Sequence, residues 1–212
     1  VVGGERFGIY SIIGLPAKTL LRSRGTPSSP INEVVTDGQV VETDYQNPLD
    51  FIEQFQARFK AAILPGLPRF CGGLAGYFGY DTVRYIEPKL AHSTPKDDLH
   101  LPDIQLLLTE ELAVIDNLAG KLYLIVYANT DLPDAFNTAQ ARLQLLLNSL
   151  DQPIKIEKSL PTVKTLPVRL FAKEAFLEKV RRTKEYILAG DCMQVVFGQR
   201  ISQPFTESPL TL

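Results

Sequence analysis

Apolar residues recur at distinct spacings along this chain, and each spacing predicts an element. Phe7, Ile9 and Ser11 alternate with Gly8, Tyr10 and Ile12, the two-residue period of a strand that reads as cut from something longer. Pro16 breaks it. A second strand is predicted over Lys18 to Arg24, followed by loop chemistry in Gly25-Thr-Pro-Ser-Ser-Pro30. Valines then flank Asp37-Gly38 in V-V-T-D-G-Q-V-V, and that pair tolerates the positive φ of a tight hairpin turn, so two antiparallel strands are expected.

The period then becomes helical. Asn47 before Pro48 is a helix start, with Leu49, Ile52, Phe55, Phe59 and Ile63 forming one apolar stripe and Pro65-Gly66 ending it. Ile104 to Ile115 and Lys121 to Tyr127 are predicted as hairpin strands about Asp116 to Gly120. A second helix is expected over Pro133 to Leu150, carrying Phe136, Ala139, Leu143, Leu146, Leu147 and Leu150. A third runs from Lys173 to Ala189, with Phe176, Val180 and Ile187 inward, a solvated polar face, and Gly190 as its cap. Met193 to Ile201 is predicted as a strand. Pro88 to Pro102 reads as a charged, proline-rich loop, and Gln152 to Pro167 as a crossing segment or linker. Strands come in hairpin groups with a helix after each. That grouping predicts an α+β fold with antiparallel β-sheets and helices packed outside.

One stretch fits neither period. From Arg69 it reads R-F-C-G-G-L-A-G-Y-F-G-Y-D-T-V-R-Y-I-E-P, with Gly72, Gly73, Gly76 and Gly79 among Tyr77, Phe78 and Tyr80. Glycines at this density predict bulges or a close approach by another backbone. The spacing is not the G-x-G-x-x-G of a dinucleotide site, and aromatics fill the gaps where a helix would open. Tyr80 and Asp81 are therefore expected to serve the fold, with the ring largely buried and Asp81 or Arg84 bonded to backbone or to each other.

Composition changes this picture only by exclusion. The formal charge is −2 and there is no basic run, which argues against nucleic acid and anionic membranes as partners. No stretch is long and apolar enough to span a bilayer and the start lacks signal-peptide character, so a cytoplasmic protein is the default expectation. Cys71 and Cys192 are too few for a disulfide framework and are expected as reduced thiols; His92 and His100 lack metal-ligand spacing. Glu110-Glu111 and Asp97-Asp98 read as surface pairs. The residues alone supply no nucleophile with a nearby base.

The glycine-aromatic run resembles the G-G-L-x-G-Y-F-G-Y-D-x-V-R-x-x-E signature of the amino-terminal region of anthranilate synthase component I, within the chorismate-utilising enzyme family. Two further blocks resemble it in the same order: G-G-E-R-F-G-I-Y-S-I-I-G-L from Gly3 to Leu15, and Y-I-L-A-G-D-C-M-Q-V-V-F-G-Q-R from Tyr186 to Arg200. The resemblance implies an amino-terminal α+β domain over 1–150, a linker or crossing segment over 151–172, and the start of the chorismate-binding catalytic region over 173–212. It implies a parent that converts chorismate and ammonia to anthranilate and pyruvate in tryptophan biosynthesis. Ammonia would come from a glutamine amidotransferase subunit, L-tryptophan would be the feedback inhibitor, and Mg2+ would be held by ligands outside this chain.

The same resemblance singles out three residues. Tyr10 and Ser11 lie in a block that borders the tryptophan pocket in relatives, although Ile9 replaces the usual arginine. Gln194 is the candidate chorismate-pocket residue; relatives that use water carry a lysine there as general base, which glutamine cannot replace at neutral pH. The 212 residues alone are expected to be inactive and to self-associate through the Met193 to Ile201 edge. Two alternatives stand beside this reading: aminodeoxychorismate synthase component I of the folate pathway, and a regulatory or docking module without activity of its own.

Overall fold

The computed structural model describes residues 8–94, 96–153 and 165–205. The chain divides into two compact units, Val1–Gln152 and Pro153–Leu212.

The first unit is built on two antiparallel sheets. Strands β1 (Tyr10–Gly14), β2 (Thr19–Thr26), β3 (Ser29–Thr36) and β4 (Gln39–Asp44) come first, and the β3–β4 turn has the predicted left-handed pair, Asp37 at φ 49° and Gly38 at φ 80°. Helix α1 (Pro48–Ala57) follows, its Asn47 carboxamide accepting the Leu49 amide proton at 2.9 Å and Pro48 filling the first position. Next come β5 (Gly73–Phe78), a 3-10 helix at Tyr80–Tyr85 and another at Pro88–Leu90. Strands β6 (Ile104–Thr109), β7 (Glu111–Asp116) and β8 (Lys121–Val126) and helix α2 (Ala135–Leu150) complete the unit. The sheets run β4-β3-β2-β6-β5 and β1-β7-β8, every pairing antiparallel. This is the α+β architecture expected.

The core lies where α1 meets the larger sheet: Leu21, Val34, Ile104 and Leu106 from the strands pack with Phe51, Ile52 and Phe55. Phe51 is 1% exposed, a burial that contributes about 1.5–3 kcal/mol. At the β5 edge the sheet requires glycine. A Cβ on Gly76 would stand 2.0 Å from the Gln105 carbonyl oxygen.

Several predicted elements end differently, each for a local reason. Helix α1 stops at Ala57 rather than continuing to Ile63, because i→i−3 bonds (Arg58 N–H to Phe55 O, 3.2 Å; Phe59 N–H to Gln56 O, 3.1 Å) tighten its last turn. Arg58 then turns to Glu42 on β4, at 2.6 and 2.7 Å, leaving Phe59 and Ile63 half-exposed. The apolar run Ile104 to Ile115 is two strands in two sheets, divided at Glu110, whose carbonyl accepts the Tyr127 amide proton at 2.9 Å. Tyr80, expected inside, is 89% exposed: the chain leaves β5 at Gly79 and becomes a 3-10 helix, whose inward positions are Thr82 and Arg84. The expected Asp81–Arg84 bond is present at 2.6 Å. Of the α2 stripe, Leu146 is buried, Ala139 and Leu143 half-buried, and Phe136, Leu147 and Leu150 exposed.

The second unit contains β9 (Val168–Arg169), α3 (Lys173–Ala189) and β10 (Ile201–Ser202). Helix α3 has the predicted bounds, and Gly190 closes it at φ 84° with its N–H on Ile187 O. The strand predicted over Met193 to Ile201 is not formed along most of that length. A strand persists only where another pairs with it, and β10 meets β9 over two positions, Ile201 with Arg169 and Ser202 with Val168. Upstream, the Gln199 carboxamide extends the pairing by bonding both the N–H and the C=O of Phe171, at 3.0 and 2.8 Å. Met193 and Val196 are left almost fully exposed. Residues 154–164 of the predicted crossing segment, and Phe7 of the first predicted strand, lie outside the described residues. No described helix is long and apolar enough to cross a membrane.

Candidate functional site

Tyr10 and Ser11 stand on β1, an outer strand of the smaller sheet, with Tyr10 opposite Asp116 and Ser11 opposite Ile115. The turn after β7 reaches back to them: Asn117 donates its backbone N–H to Ile9 O at 2.8 Å and its carboxamide to Ser11 Oγ at 3.0 Å. Ser11 therefore accepts one bond and keeps its own proton for another acceptor. Ile12 and Ile13, on opposite faces of β1, are each about half-exposed, so this margin is apolar around one hydroxyl. Gln194 belongs to the second unit, exposed in the extended stretch before β10. Phe197 anchors that stretch against Phe171 and Phe176, with ring centroids 6.3 and 5.0 Å apart.

A third region was not singled out by sequence. Across β2, β6 and β5 the register aligns Arg22, Gln105 and Tyr77 on one face, with Arg24 two positions further along β2. Between that face and the chain from Tyr80 to Asp103 lies an open cleft of about 960 Å³. Several of the charges around it are paired. Buried Glu33 accepts Arg22 Nε at 2.6 Å and Arg24 Nη2 at 3.3 Å, and Arg84 Nε donates to Asp81 Oδ1 at 2.6 Å. Tyr85 donates its hydroxyl to Asp103 Oδ2 at 2.8 Å. Burial pushes the Asp103 carboxyl above the usual carboxylate range; the Tyr85 bond pulls it back and Asp81 and Asp97 push it further up. Burial first, then Asp103, raises the Tyr85 phenol, so it remains a proton donor at neutral pH. The cleft thus offers hydrogen bonds rather than a nucleophile and base. Glu33 was not singled out by sequence, and the Arg-x-Arg spacing on its partner strand is the one signal that could have pointed to it.

Other side chains expected to be ordinary take structural duties. Glu111 receives a bidentate grip from Arg142 of α2, with Nε–Oε1 and Nη2–Oε2 both 2.8 Å, and that guanidinium holds its carboxyl below the usual range. Cys71 and Cys192 are both free thiols, as expected. Cys71 Sγ lies 3.6 Å from the Tyr127 hydroxyl, whose phenol is pushed up to about 12 by burial and by that thiol. Among the described residues no group of three or more His, Cys, Asp or Glu is placed to hold a metal ion.

Known proteins align with the whole of this arrangement. Over its full length the chain is 48% identical to anthranilate synthase component 1 of Neisseria meningitidis serogroup B and 44% identical to that of Pseudomonas aeruginosa, covering 43% and 44% of those proteins. The chain therefore spans less than half the length of these curated relatives. Among solved structures, anthranilate synthase component I from Streptococcus pneumoniae superposes with a TM-score of 0.72 at 24% identity, over 99% of this chain and 45% of that one, a likeness of fold. The family model described as chorismate binding enzyme matches residues 18–212, and with that match the chain belongs to the chorismate binding enzyme family.

Proposed function

We propose that this chain is part of an anthranilate synthase component I. The observation that carries the reading is the 48% identity to the Neisseria meningitidis component 1 across all of these residues. In this reading the whole protein adds ammonia to chorismate and eliminates pyruvate, giving anthranilate, with ammonia supplied by a glutamine amidotransferase subunit. The setting is the cytoplasm, and L-tryptophan is the feedback inhibitor.

Within that reaction, Gln194 meets chorismate as a neutral hydrogen-bonding group. A carboxamide takes up no proton at neutral pH, which suits ammonia as the attacking species, since ammonia needs no general base to become nucleophilic. The exposure of Gln194 leaves it free to face a substrate. Tyr10 and Ser11 contribute to the tryptophan site, Ser11 through the proton that Asn117 does not engage. In this reading magnesium is held by ligands outside these 212 residues. The aminodeoxychorismate branch is the weaker reading, because Val195-Val196 and the Asp81-Thr-Val-Arg-Tyr-Ile-Glu87 sequence fit the anthranilate branch better.

The test of this division of labour is an assay of the 212 residues alone, with chorismate, magnesium and ammonium, followed by anthranilate fluorescence. No turnover above the blank is expected. Sustained turnover in a preparation free of any longer enzyme would overturn it.

A further inference from the structure

The chain after α3 runs from one end of that helix back to the other. At the far end Gly190 caps the helix, and Asp191 gives its N–H to Tyr186 O at 3.0 Å. At the near end the Phe197 ring packs on two others, with centroids 5.0 Å from Phe176 and 6.3 Å from Phe171. Phe171 stands just before the cap residue Ala172, and Phe176 is the fourth residue of the helix, two positions that commonly clasp each other at a helix start. Phe197 is the third ring of that clasp. The helix rises about 20 Å from Phe176 to Ala189, and the steps from Asp191 to Phe197 reach about 20–22 Å at full extension. The stretch between them therefore has little slack.

Gln199 holds the same end by its side chain. Main-chain pairing with β9 reaches Leu170, whose N–H bonds Arg200 O at 2.9 Å. One residue on, where the chain bends from β9 into α3, the Gln199 carboxamide takes both main-chain groups of Phe171. It accepts the N–H at 3.0 Å and donates to the C=O at 2.8 Å. A carboxamide carries the donor and the acceptor of a peptide group, so it stands in for a strand residue while the Gln199 main chain sits back by the length of the side chain. Phe171 is thus gripped twice, through its ring by Phe197 and through its main chain by Gln199. Upstream, Met193 and Val196 are almost fully exposed and Gln194 is exposed, so the path of Gln194 is decided at the two ends of the stretch.

We propose that Gln199 is a positioning residue: by clamping the Phe171 main chain at the start of α3, it fixes the path of residues 193–198 and with it the point at which Gln194 is presented to substrate. The proposal rests on the reading of Gln194 as a chorismate contact. Gln199 acts through that residue, its own carboxamide being engaged with Phe171.

Gln199→Met tests this, since it keeps the length of the side chain and removes both bonds. In amide NMR spectra of the 212-residue chain, the signals of residues 193–198 should shift and broaden while those of α3, Val168 and Ile201 stay in place. Unmoved 193–198 signals would overturn the proposal. Loss of the α3 signals would overturn it equally, because Gln199 would then hold the whole unit together rather than the stretch. The second arm is a double-mutant cycle in a chimera of this chain with the remainder of the Neisseria meningitidis component 1. There Gln199→Met should lower kcat/KM for chorismate about tenfold, but less than about twofold in the Gln194→Ala background. Losses that multiply in the double variant would overturn the proposal. An unmodified chimera that forms no anthranilate would instead contradict the assigned activity, and the spectra would then decide the positioning role alone.

Discussion

The Tyr85 hydroxyl donates to Asp103 in a half-buried setting where Asp81 and Asp97 face the same carboxyl and Arg84 is the compensating cation. Asp103 is thereby easier to protonate in the fold than in the unfolded chain. Its favourable contribution is complete below the unfolded value near 3.8 and is lost as pH rises through the higher folded value. Asp103→Asn keeps an acceptor for Tyr85 and removes that loss. The variant should be at least as stable as the parent sequence at pH 7, with the difference vanishing near pH 3.5, in urea unfolding at the two pH values. A variant clearly less stable at pH 7 would contradict the burial argument.

The Arg142–Glu111 pair has the opposite sign. Glu111 is held ionised by Arg142, so its contribution is present above the unfolded value near 4.5 and is lost as pH falls through the lower folded one. Arg142→Ala should lower the unfolding midpoint modestly at pH 7, an exposed-side pair being worth little, and less still at pH 3.5. An effect that grows on acidification would exclude the ion pair as its cause.

Asn47→Ala removes both the helix cap on Leu49 and the bond to Tyr85 O, and should cost about 1–2 kcal/mol in chemical denaturation. Asn47→Asp keeps the cap and loses the donor, so it should recover part of that cost. Equal losses in both variants would show that the cap contributes nothing.

Gly76→Ala places a methyl group against the Gln105 carbonyl, within 2.0 Å, and backbone cannot yield as a flexible side chain would. A loss of about 3 kcal/mol is expected, or failure of β5 to pair. Gly38→Ala meets nothing within 4 Å and loses only the ease of its φ of 80°, so it should cost about 1 kcal/mol. Thermal unfolding of both checks the ranking, and a reversed order would contradict the close approach of β5 to β6.

Much of the fold was legible because its signals are local. Asp37-Gly38 specifies its own turn, Asn47-Pro48 its own helix start, and Gly190 its own left-handed cap. The misses share one cause, that the deciding partner is distant in sequence. Past the tightened last turn of α1, Arg58 is drawn to Glu42 on β4 and leaves Phe59 and Ile63 half-exposed, and Tyr80 is exposed because Gly79 turns the chain towards Asp103. The Met193 stretch stays largely unpaired because β9 offers β10 only two residues. The cleft was invisible for the same reason, since Arg22, Tyr77 and Gln105 become neighbours only through strand register. Tyr10, Ser11 and Gln194 were reached through the resemblance, not through any local chemical pattern.

The central claim is membership of a working component I, and a chimera tests it most directly. This chain should replace the matching 43% of the Neisseria meningitidis component 1 and leave a folded enzyme that forms anthranilate from chorismate and ammonium, with the product identified by chromatography. In that chimera Gln194→Lys should cut ammonia-dependent anthranilate formation by roughly 10- to 100-fold, the scale for a lost hydrogen bond to substrate. Anthranilate from the unmodified chimera, together with that loss, is the predicted result; a folded chimera that makes aminodeoxychorismate, or no product, would contradict the account.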